Sequence, residues 1–156
     1  EIRLSLVGSE MCIRDSFYFL VDFQSKLDHF QTSFTEVSGL DIRLETHEKP
    51  NDTGIWIKMP AKVTYGNITL KRPATPLNND IFLKWVHKCL KTDKDKRIIP
   101  YDVIIKLLDE KGNPLIGWKC AYAYPIQWTP GGLDAEKSGL ATETVVLTCN
   151  RIDRIL

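Results

Sequence analysis

The chain has 156 residues, with 21 Lys and Arg against 20 Asp and Glu, 43% hydrophobic residues and 26% charged residues. These values fit one folded domain and exclude a disordered or collagen-like chain. No apolar run approaches the ~20 residues that cross a bilayer as a helix, so membrane insertion is not expected. The formal net charge of +1 argues against a dedicated nucleic-acid binder.

Residues 1–16 have neither helical nor strand periodicity. Arg3 precedes only Leu4-Ser5-Leu6-Val7-Gly8, too short an apolar core for a secretory signal. The string from Ser5 to Ser16 resembles a peptide produced by translating adapter-derived DNA in environmental sequencing. The expectation is a non-native or disordered leader over 1–16, with the domain occupying 17–156.

From Phe17 the pattern is β. Phe17, Phe19, Val21 and Phe23 alternate with more polar neighbours, which predicts a half-buried strand. Ser25 to His29 reads as a polar connection. A second strand begins at Phe34-Thr35-Glu36-Val37, and Ser38-Gly39 shifts its phase, as a bulge would. Leu40, Ile42 and Leu44 then alternate cleanly. Thr46 to Gly54 is polar and turn-rich and predicts an exposed hairpin tip or long loop. Ile55, Ile57 and Met59 open the next strand, and a short one near Val63 to Arg72 ends at Pro73.

Asn78-Asn79-Asp80 supplies a helix N-cap. Ile81, Phe82, Trp85, Val86, Cys89 and Leu90 mark one apolar helix face, with Lys84, His87, Lys88 and Lys91 on the other. Ile99 to Asp109 and Leu115 to Trp128 read as strands joined by a turn at Glu110 to Pro114. In the second of these, Ile116, Trp118, Cys120, Tyr122 and Tyr124 share a face, and Pro125 implies an edge or bend. Thr142 to Ile152 is the last strand. The fold class expected is mainly β: a small β-barrel with one flanking α-helix.

No specific catalytic constellation is present. His29, His47 and His87 are too scattered for helical zinc-ligand spacing. Nucleophile-elbow, phosphate-loop and dinucleotide fingerprints are absent from the sequence, and Gly131-Gly132 lacks the helix and lysine that phosphate binding requires. Neither an enzyme nor a cofactor or metal is expected. Cys89, Cys120 and Cys149 sit in apolar patterns as small hydrophobes, which predicts free thiols; a disulfide pairing is not readable from spacing. Lys84, Lys88, Lys91, Lys94, Lys96 and Arg97 cluster near the helix end without interleaved aromatics and read as a solvated face. Charge is nevertheless segregated: residues 57–106 hold eleven Lys and Arg against four acids, and residues 17–56 hold three against seven. Opposite faces of that kind suit head-to-tail self-association.

Six short strings in order carry a family resemblance across Phe17 to Leu156. They are the opening aromatic strand, Phe34-Thr35-Glu36-Val37-Ser38-Gly39-Leu40, Asn67-Ile68-Thr69-Leu70-Lys71-Arg72, the helix with Trp85, the run Trp118 to Pro125, and Leu133-Asp134-Ala135 followed by Glu143 near the start of the closing strand. Together they resemble the tail tube proteins of contractile phages and of extracellular contractile injection systems. Two connections depart from that pattern: Glu48 to Gly54 lacks a paired glycine, and Pro73 stands where a glycine commonly follows Arg72.

The resemblance implies a structural subunit that forms hexameric rings stacked head to tail around a hollow lumen. It shares its fold with type VI secretion tubes. Implied partners are other copies of the chain, sheath and baseplate proteins, and cargo in the lumen, either DNA or an effector protein. The particle is expected to assemble in the bacterial cytoplasm. The same resemblance implies subunit or ring contacts at His47, Glu48, Lys49, Asn51 and Asp52, and an inter-subunit ion pair at Arg72. A baseplate-proximal tube initiator and a monomeric ligand-binding barrel are the alternatives.

Overall fold

The computed structural model describes residues 17–91, 97–131 and 141–156. The expectations for residues 1–16, for Lys94 and Lys96, and for Leu133-Asp134-Ala135 lie outside the described residues. Among the described residues, ten strands and one α-helix form in this order: β1 (Tyr18–Gln24), β2 (His29–Phe34), β3 (Glu36–Ser38), β4 (Ile42–Pro50), β5 (Trp56–Tyr65), β6 (Ile68–Pro73), α1 (Ile81–Leu90), β7 (Tyr101–Leu108), β8 (Pro114–Pro130), β9 (Thr142–Thr148) and β10 (Arg151–Arg154). One turn of 3-10 helix, Leu77–Asn79, leads into α1.

Eight strands make one antiparallel sheet in the order β2-β1-β7-β8-β9-β6-β3, with β10 on β8, while β4 and β5 pair only with each other. The strand order stays open, since no ladder joins β2 to β3 among the described residues. The chain itself bridges the two ends. β2 pairs with β1 at one end, and two residues after Phe34 β3 begins and pairs with β6 at the other. Between them the Thr35 amide donates to the Lys71 carbonyl at 2.9 Å. The mainly β architecture with one flanking helix is as expected, and the sheet surrounds one core without a closing ladder among the described residues.

That core explains the alternation. Val21 and Phe23 of β1, Phe34 of β2, Ile68 and Leu70 of β6, Val103 and Ile105 of β7, Val145 and Leu147 of β9 and Ile152 of β10 are all buried. They belong to a single cluster. Phe30 and Phe34 place the run from Phe30 to Ser33, which periodicity left unassigned, inside β2: Gln31 and Ser33 stay outward, while Thr32 shares the inward face with the two buried aromatics and accepts from Arg72. At one end of the core, Phe23 stacks on Phe30 with centroids 4.7 Å apart, and Trp85 meets Tyr101 edge-on at 5.0 Å. Such pairs add about 0.5–1.5 kcal/mol each beyond burial.

The helix forms where its signals place it. Asp80 caps the N-terminus by accepting from the Leu83 amide at 3.3 Å. Phe82, Trp85, Val86 and Cys89 are buried as expected, but Leu83 is buried too, while Ile81 is exposed. The buried stripe is thus rotated slightly from the one the spacing suggested. Trp85 Nε1 donates to the Ile99 carbonyl at 2.8 Å, so its polar edge is satisfied inside the packing.

β8 departs from the simple alternation. Cys120 is buried as expected, yet Tyr122 is exposed and Ala123 is buried. Ala123 lies opposite Tyr101 and Cys120 opposite Val103, so β8 carries one residue more than β7 between these pairs. That extra residue is a bulge centred on Tyr122, whose φ is +57° and whose amide donates to Asp102 at 3.1 Å. A bulge turns every later side chain to the other face. Pro125 is the expected bend: it sits opposite Leu147, immediately before a second register shift.

Gly39 ends β3 with φ at +82°, and a Cβ there would lie 1.9 Å from the Asn67 carbonyl oxygen. Backbone conformation and space both demand glycine at this site. Gly39→Ala is expected to lower unfolding stability by more than ~1 kcal/mol, measured by urea denaturation with the far-UV spectrum as the control for fold.

Candidate assembly interface

β4 and β5 form a two-stranded arm that leaves the body of the protein. Its base is fixed where the Gly66 amide donates to the Asp41 carbonyl at 3.0 Å, and where Leu40 and Tyr65 pack partly against the core. Its tip is built by Asn51. The Asn51 Oδ1 accepts from the Thr53 and Ile55 amides, each at 3.0 Å, and from the Thr53 hydroxyl at 2.7 Å. Gly54 takes φ of +85° to complete the turn. An asparagine side chain that organises its own following backbone is a strong turn former.

The five candidate residues in this region are therefore placed differently from one another. His47, Glu48 and Lys49 lie on strand β4, opposite Met59, Lys58 and Ile57. Asn51 and Asp52 lie in the tip. The polar segment is thus an exposed hairpin, its loop shorter than the run of polar residues suggested. All five are exposed, and Asn51 also has a structural role inside the arm.

The arm's most informative residues are apolar. Ile42 faces Tyr65 and Leu44 faces Val63 across the ladder, which puts these side chains on one face. Ile42 is 58% exposed, Leu44 53% and Val63 48%. Towards the tip, Trp56 lies opposite Pro50 and is 67% exposed. The clean alternation in the sequence signalled a face to be covered, but no described residue covers it. Each arm strand also has one free edge, which is a template for pairing with another chain.

Arg72 lies elsewhere, and the expected inter-subunit ion pair is corrected. Its side chain is 7% exposed, and it pairs within the chain with Glu143 and Asp80. Nε donates to Glu143 at 2.8 Å, Nη1 to the Thr32 hydroxyl at 2.8 Å, and Nη2 to Asp80 and to the Thr75 hydroxyl. The guanidinium carbon lies 4.9 Å from the Phe82 ring centre and 5.6 Å from that of Phe34. Glu143 is opposite Arg72 in the β6–β9 ladder and also accepts from Trp128 Nε1 at 3.3 Å. The physical reason is placement: β6 buries alternate residues, and position 72 falls on the inward series after Ile68 and Leu70. A cation there needs its carboxylates beside it.

The described residues contain no cluster of three or more His, Cys, Asp or Glu able to hold a metal ion. No helix among them is long and apolar enough to cross a membrane.

Removing Arg72 would leave two carboxylates facing a buried site. Arg72→Ala is expected to cost about 3–5 kcal/mol of stability, read by chemical denaturation. Glu48→Ala and Asp52→Ala on the arm should each stay within ~0.5 kcal/mol.

Comparison with known proteins bears directly on this arrangement. The family model of the T4-like virus tail tube protein gp19 matches residues 15–153. No curated protein sequence gives a significant match. Among solved structures, a chain of the sheath-tube complex of the PVC extracellular contractile injection system in its extended state superposes with a TM-score of 0.72 at 24% identity. That match covers 97% of this chain and 99% of the other. A chain of the anti-feeding prophage cap, its tube terminating cap, gives 0.70 at 25% identity, covering 99% and 93%. The crystal structure of an Hcp protein gives 0.54 at 8% identity, covering 86% and 90%, and shares the fold alone. With the family model spanning nearly the whole described domain, the chain belongs to the T4-like virus tail tube protein gp19 family, and its role is that of a structural tube subunit.

Proposed function

We propose that this subunit assembles into hexameric rings that stack into a hollow tube, using the β4–β5 arm to grip a neighbouring copy. The carrying observation is the uncovered apolar face of Ile42, Leu44, Val63 and Trp56 on an arm with two free strand edges. Burying one such side chain contributes roughly 1.5–3 kcal/mol, so several together supply a substantial part of a subunit contact. The polar residues His47, Glu48, Lys49 and Asp52 would then surround that contact and set its register, as charged rims do in other interfaces. A contact between an arm and a different surface on the next copy is heterologous, and such contacts close into rings when the rotation permits.

The segregation of charge supports the same reading. The acidic 17–56 segment includes the first strand of the arm, and the basic 57–106 segment includes its second strand and the outer face of α1. These segments are proposed to meet across subunits. Sheath and baseplate proteins are the proposed outer partners, with DNA or an effector protein in the lumen, and assembly takes place in the bacterial cytoplasm. No reaction is assigned to the subunit. A ligand-binding barrel is disfavoured because Phe23, Phe34, Phe82, Ile105 and Leu147 occupy the interior that a ligand would need.

The test is sedimentation velocity with negative-stain electron microscopy on the protein and on Leu44→Glu. Wild-type protein is expected to form rings or tubes at a concentration where Leu44→Glu stays monomeric with an unchanged far-UV spectrum. Equal assembly by the variant would remove the arm from the interface. A wild-type chain that stays monomeric at high concentration would overturn the ring reading itself.

A further inference from the structure

The strand directions fix where the arm leaves the body and what lies at the other end. From β2 to β3 the sheet passes through six antiparallel ladders, so these two strands run the same way. The arm leaves after β3. The turn at residues 25–28, which precedes β2, and the start of β7 therefore sit at the opposite end. α1 packs at that end, where Trp85 meets Phe23 at 5.5 Å and Tyr101 at 5.0 Å.

Between the turn, α1 and the approach to β7 lies a groove of about 380 Å³, with the buried Trp85 and Tyr101 in its wall. That volume is in the range that takes a ligand-sized group. Its rim is apolar and uncovered: Leu27 is 96% exposed, and Ile81 and Ile99 are exposed beside it. The turn that presents Leu27 is fixed, since the Ser25 hydroxyl accepts from the Leu27 amide at 3.2 Å and from the Asp28 amide at 3.0 Å. Ile81 has the spacing of the helix's core face yet lines this groove instead. Lys84 and Lys88 border it from α1, and Asp28 borders it from the turn.

We propose that this groove receives the arm of a second copy of the chain. The matching surface is on the arm's apolar face. Alternation along β4 puts Glu48 and Pro50 on the face of Ile42 and Leu44, and Lys58 and Trp56 lie opposite them on β5. Trp56 enters the groove against Trp85 and Tyr101, and Leu27 and Ile81 cover the apolar face beside it. Glu48 meets Lys84 and Lys88, while Lys58 meets Asp28, so both signs of charge are complementary. The occupant is a second copy because arm and groove stand at opposite ends of one body, which brings them together only between successive copies, head to tail. This site rests on the arm being an assembly contact, and it supplies the surface that the arm holds.

The test is sedimentation velocity on the wild-type chain, on Leu27→Asp, on Leu44→Glu and on an equimolar mixture of the two variants. Leu27 makes no core contact to lose, and an unchanged far-UV spectrum checks the fold. Leu27→Asp is expected to raise the concentration needed for assembly by about tenfold or more. The mixture is expected to form a discrete complex that neither variant forms alone, because the Leu27→Asp chain keeps an intact arm and the Leu44→Glu chain an intact groove. Wild-type assembly by Leu27→Asp while Leu44→Glu stays monomeric would overturn the groove and leave the arm as an interface. Two variants that each fail to assemble and also fail to associate when mixed would overturn it too. Normal assembly by both variants would remove the arm and the groove together.

Discussion

Arg72 is the constraint on which the rest of the body depends. A guanidinium deep in a β-protein is costly to desolvate, and it persists only where its hydrogen bonds are met. Here they are met by residues from four places in the chain: Thr32 on β2, Thr75 before the helix, Asp80 at the helix N-cap, and Glu143 on β9. Each partner has a second task. Asp80 also caps α1, where a negative charge suits the helix dipole. Glu143 sets the β6–β9 register, and Thr32 ties the free end of the sheet back towards β6. One side chain therefore holds the helix on the sheet and the two ends of the strand order towards each other, where a continuous ladder is absent.

This satisfaction is confined to the body. Its apolar strand faces are covered by α1 and by the opposite side of the wrapped sheet, and its buried cation has internal partners. The arm is built on the opposite principle: its backbone is well organised, with Asn51 fixing the tip and a paired ladder below it, yet its apolar face is left uncovered by the described residues. A rigid, well-formed element with an unmet apolar face is a device for contact with something else. The body and the arm thus divide the labour between stability and assembly.

Much of this was legible in the sequence where one physical signal dominated. The opening strand, the Asp80 cap and the helix follow from alternation, capping chemistry and helical spacing, whereas the closing run from Thr142 to Ile152 is divided at Cys149-Asn150 into β9 and β10. β2 was hard to read because only Phe30 and Phe34 mark it, and its polar residues look like a connection. The phase of β8 was misread beyond Cys120 because one bulged residue, Tyr122, reverses the two faces without any glycine to announce it. Arg72 and Glu143 were visible separately as landmarks of the family resemblance. Their pairing was not, because 71 positions separate them and strand order brings them together. Ile42 and Leu44 were read correctly as a strand face. Whether such a face meets the protein's own core or another molecule is decided by topology, on which alternation is silent.

The most direct measurement of the central claim, that the arm is the assembly contact, is amide hydrogen exchange compared between dilute monomer and assembled protein. Amides at the free edges of β4 and β5 are predicted to exchange quickly in the monomer and to become protected on assembly, while those of β6 and β9 beside Arg72 are protected in both. Arm amides that exchange equally fast in both states would contradict it.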